Sequence, residues 1–246
     1  MKTVMVVLLA IAVGTTIAAN VWKRDLRIAH VRTEGNRIVG ENEILDLAAI
    51  PKNGKLYAVD LSDARLRVKQ NPFVKTVSVN REAPDGVSIT VTERVPIAAI
   101  VLDRLLYLDV DGFVLPLVRS EGVSDLPVLT GHLPAAACIP GKRIISANVL
   151  DALEILATAR MIGEELYRLI SEVHIDGDRD IVLYTSESGV PVVFGRGDAA
   201  MKLLKFDGFW KAIVTQRGAG ELRTVDLRYA DQVVVRWMTD DEPVAQ

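Results

Sequence analysis

The sequence is poor in the residues that most often build covalent or metal-based chemistry. Its one cysteine, Cys138, excludes a disulfide within the chain. Its three histidines, His30, His132 and His174, have no metal-ligand spacing with one another or with the cysteine. A nucleophile motif of the G-x-S-x-G type is also absent. The composition therefore predicts neither a metal site nor a cofactor, a small-molecule substrate or an enzyme.

The sequence also lacks an excess of basic residues. Its net charge is −3, whereas proteins that bind nucleic acid usually present a basic surface. Hydrophobic residues make up 50% of the chain and charged residues 25%, which is typical of a folded protein with a sizeable core. The length of 246 residues allows one large or two small domains and an appendage. We therefore expect a globular protein that does not bind nucleic acid.

Residues 3–22 contain no charged side chain and end at Trp22. As a helix these residues would be about 30 Å long, close to the thickness of the hydrocarbon core of a bilayer. A tryptophan is favoured at the membrane–water interface. We therefore predict a transmembrane anchor over residues 1–22.

A cleaved signal peptide is the alternative for the same segment. Lys2 precedes the apolar run and small residues occupy positions 18–19, which is typical of such a peptide. The basic side chains of residues 23–27 would favour an N-terminus outside the cytoplasm, although large domains are translocated largely regardless of flanking charge. The residues alone leave the orientation open.

Residues 23–94 contain the pattern of one small mixed module. A strand is predicted at residues 28–32, helices at 41–49 and from 60 or 62 to about 70, and strands around 77–79 and 87–91. The order is therefore strand, helix, helix, strand, strand.

Residues 95–237 have the pattern of a larger domain, in which Asp111-Gly112 marks a hairpin turn. Helices are predicted at 147–163 and 198–214, with Met161 and Ile213 on their apolar faces. The remaining strand-like segments are 105–109, 114–117, 173–176, 181–184, 191–194, 225–229 and 233–237. Strands joined by turns and interrupted by helices predict an α+β fold with a mostly antiparallel β domain.

Two motifs imitate ligand sites. Residues 195–200, Gly-Arg-Gly-Asp-Ala-Ala, match a dinucleotide fingerprint, but too few residues follow for a doubly wound sheet. A strand-to-helix turn with Asp198 as N-cap is the simpler interpretation. Residues 176–180, Asp-Gly-Asp-Arg-Asp, with Glu187 resemble part of a calcium loop, but Ile181 stands where that loop needs glycine. A solvated hairpin turn is the simpler interpretation here.

Several motifs occur in a fixed order along the chain. They are Val31-x-x-x-Gly35-Asn36, Asn71-Pro72-Phe73-Val74, Val79-x-Arg81-x-x-Pro84, Val91-x-Glu93-Arg94-x-Pro96-x-Ala98, Leu126-Pro127-Val128-Leu129-Thr130-Gly131 and Val225-Asp226-Leu227-Arg228-Tyr229 followed by Val233-Val234-Val235-Arg236-Trp237. Together they resemble the FtsQ/DivIB family of bacterial division proteins over about residues 3–237.

This resemblance implies a domain layout and a function. It implies a transmembrane anchor (1–22), a POTRA domain (23–94), an FtsQ-type β domain (95–237) and an acidic C-terminal tail (238–246). Such proteins are bitopic in the inner membrane, with the N-terminus in the cytoplasm and the bulk of the chain in the periplasm. They are non-enzymatic scaffolds that recruit other division proteins during septum formation. The POTRA region is implicated in contacts with upstream division proteins.

The resemblance also implies a binding site at the last strand, which recruits an FtsB-type subunit and, with it, an FtsL-type subunit. Strand addition to a sheet edge would supply backbone hydrogen bonds, and alternate side chains would set the register. The expected contact residues are Arg228, Tyr229, Val233, Val235 and Trp237. For Tyr229 and Trp237, packing in the domain's own core is the alternative.

Two other functions are compatible with parts of the sequence. A POTRA-bearing protein of outer-membrane assembly or secretion would continue into a β-barrel, but the residues after Glu93 contain two helices and no series of ten-residue amphipathic strands. An envelope enzyme would depend on the two motifs at 176–180 and 195–200.

Overall fold

The computed structural model describes residues 2–117, 125–177 and 180–238. In the first helix, it leaves out the side chains of residues 2–3, 6 and 17–24. The chain divides into two compact units, Met1–Arg94 and Val95–Gln246. The architecture is α+β, as predicted, with a three-stranded sheet in the first unit and a nine-stranded sheet in the second.

The first unit begins with helix α1, Lys2–Asp25. Among the side chains that are described, no helix provides an apolar stretch long enough to cross a membrane. The predicted anchor at residues 3–22 includes Trp22 and other side chains that lie outside the described set. The anchor therefore stays a prediction.

The rest of the first unit has the predicted order of strand, helix, helix, strand, strand. The elements are β1 His30–Glu34, α2 Glu41–Ala48, α3 Leu61–Val68, β2 Val74–Glu82 and β3 Gly86–Glu93. The sheet order is β1-β3-β2, so β3 lies in the centre, parallel to β1 and antiparallel to β2. Strand β1 begins two residues later than the sequence predicts.

Local signals account for the ends and faces of these elements. The Asp60 carboxylate accepts hydrogen bonds from the backbone N–H groups of Ser62 and Asp63, which caps α3 as predicted. Val87, Ile89 and Val91 alternate with polar residues on β3 and are at most 3% exposed. The period of two therefore turns one face of this strand towards the helices.

Glu93 joins the end of β3 to the loop before α2. Its carboxylate accepts three hydrogen bonds from the backbone N–H groups of Arg37 (2.9 Å), Ile38 (2.8 Å) and Val39 (2.8 Å). A charged acceptor makes hydrogen bonds that are stronger than neutral ones. Glu93 therefore fixes the entry to α2, which explains in physical terms why a glutamate stands in the motif at the end of β3.

The second unit contains four helices and nine strands in its described part. The helices are α4 Ala147–Ile162, α5 Glu164–Leu169, α6 Ala199–Phe209 and α7 Thr215–Arg217, with a π-helical turn Trp210–Val214 between α6 and α7. The strands are β4 Pro96–Val101, β5 Leu105–Asp109, β6 Val114–Leu115, β7 Val128–Gly131, β8 Ile170–Ile175, β9 Ile181–Thr185, β10 Pro191–Gly195, β11 Leu222–Asp226 and β12 Val234–Trp237.

The strand order of the second sheet is β12-β11-β10-β9-β8-β7-β4-β5-β6. In the described residues, β4 with β7, β7 with β8, and β10 with β11 are parallel, and the other pairs are antiparallel. The sheet is therefore mostly antiparallel, as expected. Side chains of the sheet and of α4, α5 and α6 form one buried hydrophobic cluster, so the helices cover the sheet on one face.

Two predicted core residues are wrong. Met161 is 87% exposed at the end of α4, and Ile213 is 45% exposed while its neighbour Val214 is 1% exposed. Hydrogen bonds from residue i+5 to residue i in the π-helical turn place more residues in each turn than the regular helix has. The apolar stripe therefore continues from Trp210 to Val214 and passes Ile213.

Candidate partner-binding edge

Strand β12 lies at one edge of the nine-stranded sheet and pairs on one side only, with β11. The pairs are Thr224 with Arg236, Val225 with Val235 and Asp226 with Val234. The unpaired edge of such a strand presents backbone N–H and C=O groups to which another strand can add. The last strand of the described chain is therefore the geometric candidate for strand addition.

The register shows which residue of β12 directs its backbone groups outward. The Leu227 N–H donates to the Val193 carbonyl of β10 (2.9 Å). Because the direction of the backbone groups alternates along a strand, Val225 also faces β10, while Thr224 and Asp226 face β12. Their partners Arg236 and Val234 therefore bond to β11. Val235, which lies between these two partners, directs its N–H and C=O away from the sheet.

The side chains of Val233, Val235 and Trp237 are half-buried and pack against the hydrophobic cluster of the second unit. Val235 lies opposite Val225, which is fully buried, so its side chain is on the helix-covered face. The Arg217 guanidinium carbon lies 3.8 Å from the centre of the Trp237 ring, which is a cation–π contact. Packing at the border of the core and exposure at the open edge thus occur in the same side chains.

Arg228 and Tyr229 lie beyond the end of β11, although the sequence predicts a strand over residues 225–229. This prediction is wrong because the strand begins at Leu222 and ends at Asp226. Arg228 Nε and Nη2 donate to the Asp226 carboxylate (3.0 and 2.7 Å), and Nη1 donates to Asp180 Oδ2 (3.0 Å). A guanidinium held by two carboxylates from different segments fixes the turn between β11 and β12.

The same contacts set the electrostatics of the turn. The hydrogen bond from Arg228 lowers the pKa of the Asp226 carboxyl, and burial opposes this shift. The two aspartates in turn raise the pKa of Arg228, so the arginine stays charged at any physiological pH. The ion pairs are therefore formed throughout the neutral range.

Lys205 of α6 holds the next residues of the turn. Its ammonium group donates to the carbonyls of Tyr229 (3.1 Å) and Ala230 (2.6 Å). The Tyr229 side chain is 49% exposed, so core packing is not its role in this structure. Sequence reasoning missed Lys205 and Arg217, because no local pattern connects either residue to the terminal strands.

The dinucleotide-like motif is a strand-to-helix turn occupied by the protein's own side chains. The Lys202 ammonium donates to the carbonyls of Phe194 (3.0 Å) and Arg196 (2.7 Å), and Arg196 Nη1 donates to Asp151 Oδ2 (2.9 Å). Burial lowers the pKa of Lys202. Asp198 is at the N-cap position with φ 51°, but its side chain makes no capping hydrogen bond, so that part of the prediction is wrong.

The calcium-like motif is a hairpin turn in which the Asp176 N–H donates to the Asp180 carbonyl (3.2 Å). Residues 178–179 lie outside the described residues. Over the described ranges, no three His, Cys, Asp or Glu side chains are grouped so that they could hold a metal ion. His174 Nδ1 lies 2.9 Å from Thr130 Oγ1, and His30 Nδ1 lies 3.7 Å from an Asp85 oxygen.

Comparisons with known proteins match both units. Residues 26–94 match the model of the FtsQ-type POTRA domain, and residues 95–236 match the model of the family described as FtsQ/DivIB, C-terminal related.

Curated relatives cover most of the chain. The chain is 29% identical over 234 residues to the cell division protein FtsQ of Syntrophotalea carbinolica, which covers 94% of this chain and 80% of the relative. It is 31% identical over 211 residues to FtsQ of Geobacter sp. strain M21 (86% and 76%) and 31% identical over 224 residues to FtsQ of Rhodothermus marinus (87% and 79%). An FtsQ-type POTRA match, a C-terminal match over more than half of the chain and relatives of this coverage show that the chain belongs to the FtsQ/DivIB family of cell division proteins.

Proposed function

We propose that this cell division protein is a non-enzymatic scaffold of the divisome. In this proposal it binds an FtsB-type subunit, and with it an FtsL-type subunit, by strand addition to β12. The observation that carries the proposal is the open edge at Val235, whose backbone N–H and C=O point away from the sheet. Family membership supports the role in division.

Side chains around the edge support the specificity of this contact. An added strand would place alternate side chains next to Val233, Val235 and Trp237, where they would extend the hydrophobic cluster. Tyrosine, tryptophan and arginine are enriched among residues that dominate interface energies. Tyr229 is half-exposed beside the edge, and Arg228 remains 48% exposed in its side chain despite its ion pairs. We therefore assign these five residues as the partner contacts.

We further propose that α1 anchors the protein in the inner membrane, with the N-terminus in the cytoplasm and the remaining chain in the periplasm. The helix has 24 residues and would extend about 36 Å. Its side chains Val7, Leu8 and Leu9 are between 55% and 67% exposed, which is typical of a helix whose surroundings are apolar. The POTRA domain would then meet upstream division proteins on the periplasmic side.

Two truncations test the binding site. The full-length protein in detergent micelles, a variant that lacks residues 239–246 and a variant that lacks residues 233–246 are titrated with the periplasmic segments of the cognate FtsB-type and FtsL-type subunits. The shorter deletion removes the acidic tail and leaves β12 in place, so it serves as the control. We expect binding to survive the shorter deletion and to be lost with the longer one. Equal binding by all three proteins would refute the site.

A further inference from the structure

The first unit has an open sheet edge of its own. Strand β2, Val74–Glu82, is the outer strand in the order β1-β3-β2 and pairs only with β3. A groove of about 220 Å³ lies beside this edge, between α3 and β2. The residues that line it are Arg65, Leu66, Lys69, Lys75, Thr76 and Val77. We call this feature the α3–β2 groove.

The charged residues of the α3–β2 groove are all cationic. Arg65 and Lys69 are four residues apart, so their like charges repel on one face of the helix. In the part of the chain that the structure describes, Arg65 makes no ion pair, whereas Arg67 on the same helix pairs with Asp63. The isolated domain therefore leaves a positive charge beside the edge that a carboxylate of a partner could neutralise.

Lys69 adds to this positive charge from a fixed position. Its ammonium group donates to the carbonyls of Val74 (3.0 Å) and Lys75, where the pairing of β2 with β3 is irregular. Burial lowers the pKa of Lys69, and the charge of Arg94 lowers it further. The cation is therefore held at the start of the edge and is not balanced by an acid in the groove.

The α3–β2 groove also has an apolar part. The Leu66 side chain is 57% exposed, and Val77 is half-buried next to it. Side chains on the same face of an added strand are two residues apart. A peptide that fits both parts of the groove would therefore carry an apolar residue and an acidic residue in the pattern apolar-x-Asp/Glu.

We propose that the α3–β2 groove binds an extended acidic segment of a partner protein, which adds as a strand to β2 and places a carboxylate against Arg65 and Lys69. This inference rests on the proposed scaffold function, since it assigns a site and a ligand chemistry to the contact with upstream division proteins. It does not depend on β12. A variant that lacks residues 233–246 should therefore keep this binding even though it loses the FtsB-type partner.

A synthetic peptide tests the groove on the full-length protein in detergent micelles. The probe is a fluorescein-labelled nine-residue peptide in which threonines alternate with valines and glutamates, and the control peptide has lysine in place of each glutamate. Binding is measured by fluorescence anisotropy. We expect the glutamate peptide to bind, with an affinity that falls as salt rises, and the lysine peptide to bind at least about tenfold more weakly.

Matched variants locate the binding. Arg65→Glu reverses an exposed charge in the groove, and Arg37→Glu reverses an exposed charge elsewhere in the same unit. We expect Arg65→Glu to weaken binding of the glutamate peptide about fivefold or more and Arg37→Glu to change it less than twofold, by roughly the difference that screening produces. Leu66→Ser should weaken the same binding, and thermal unfolding checks that each variant is folded.

Backbone methylation tests strand addition itself. N-methyl groups on alternate residues of the probe block one of its two edges, so one methylation pattern should abolish binding and the other should not. No binding of the glutamate peptide, equal binding of the lysine peptide, equal effects of Arg65→Glu and Arg37→Glu, or equal binding of both methylated probes would each overturn the proposal.

Discussion

Replacing Val235 by proline is the sharpest test of the edge at β12. The N–H of Val235 points away from β11, so proline removes a donor that only an added strand can use. The bonds from Val234 and Arg236 to β11 remain. Proline is tolerated on an edge strand when its nitrogen faces away from the sheet. We therefore expect the free energy of unfolding to change by less than about 1 kcal/mol.

The cost to partner binding follows from one lost hydrogen bond. A backbone hydrogen bond contributes about 1 kcal/mol, and the partner carbonyl that is left buried without a donor costs about 1–3 kcal/mol. The sum of about 2–3 kcal/mol corresponds to affinity that is about 30- to 150-fold lower. Titration of the full-length variant with the FtsB-type and FtsL-type segments, followed by calorimetry, measures this change.

Val235→Ala is the matched control because it keeps the N–H and removes only part of the half-buried side chain. The lost apolar contact is about 1 kcal/mol, or about fivefold in affinity. The difference between the two variants isolates the backbone donor. If the proline variant binds as tightly as the alanine variant, the partner does not add as a strand at this edge and the reasoning from register is refuted.

Three further substitutions test neighbouring contacts. Trp237→Ala removes the ring under Arg217 and should weaken partner binding about tenfold or more in titration while cooperative unfolding is retained; global unfolding or unchanged binding would contradict it. Lys202→Met leaves two loop carbonyls without their donor and should lower the free energy of unfolding in urea by about 2–3 kcal/mol, whereas no change would mean that water replaces the ammonium. Asp226→Asn removes a carboxyl whose pKa Arg228 lowers in the folded state. Its stabilising effect is complete above the unfolded pKa of 3.8 and is lost as the pH falls through the lower folded pKa, so wild type and variant should differ at pH 7 and converge below about pH 3; a constant difference would contradict the ion pair.

Local signals explain what the sequence predicts well in the first unit. The alternation of Val87, Ile89 and Val91, the cap at Asp60 and the stop before Pro72 each act within a few residues. The strand-helix-helix-strand-strand order depends only on such signals. The three N–H groups bound by Glu93 are more than fifty residues away, so the sequence could flag the glutamate through its motif but could not show what it does.

The errors in the second unit have non-local or irregular causes. The predicted strand at residues 225–229 treats the apolar residues as a period of two, but the chain leaves β11 after Asp226, where Arg228 reaches Asp180, 48 residues away. Ile213 is misplaced because a regular helical period does not contain the π-helical turn. Met161 ends α4 beyond the last turn that the sheet covers, and the apolar pattern carries no sign of that limit.

The binding edge shows where sequence reasoning reaches its limit. The apolar run Val233-Val234-Val235 identifies a strand, but a run without alternation does not indicate which residues face the neighbouring strand. That choice is made by the bond from Leu227 to Val193, which fixes the direction of every second backbone group through β11 to β12. A register shifted by one residue would exchange the roles of Val234 and Val235. A proline at 234 should then spare stability and cost affinity, whereas the observed register predicts the opposite, because the Val234 N–H bonds to Asp226. The pair of proline variants therefore tests the register itself and not only the presence of a strand.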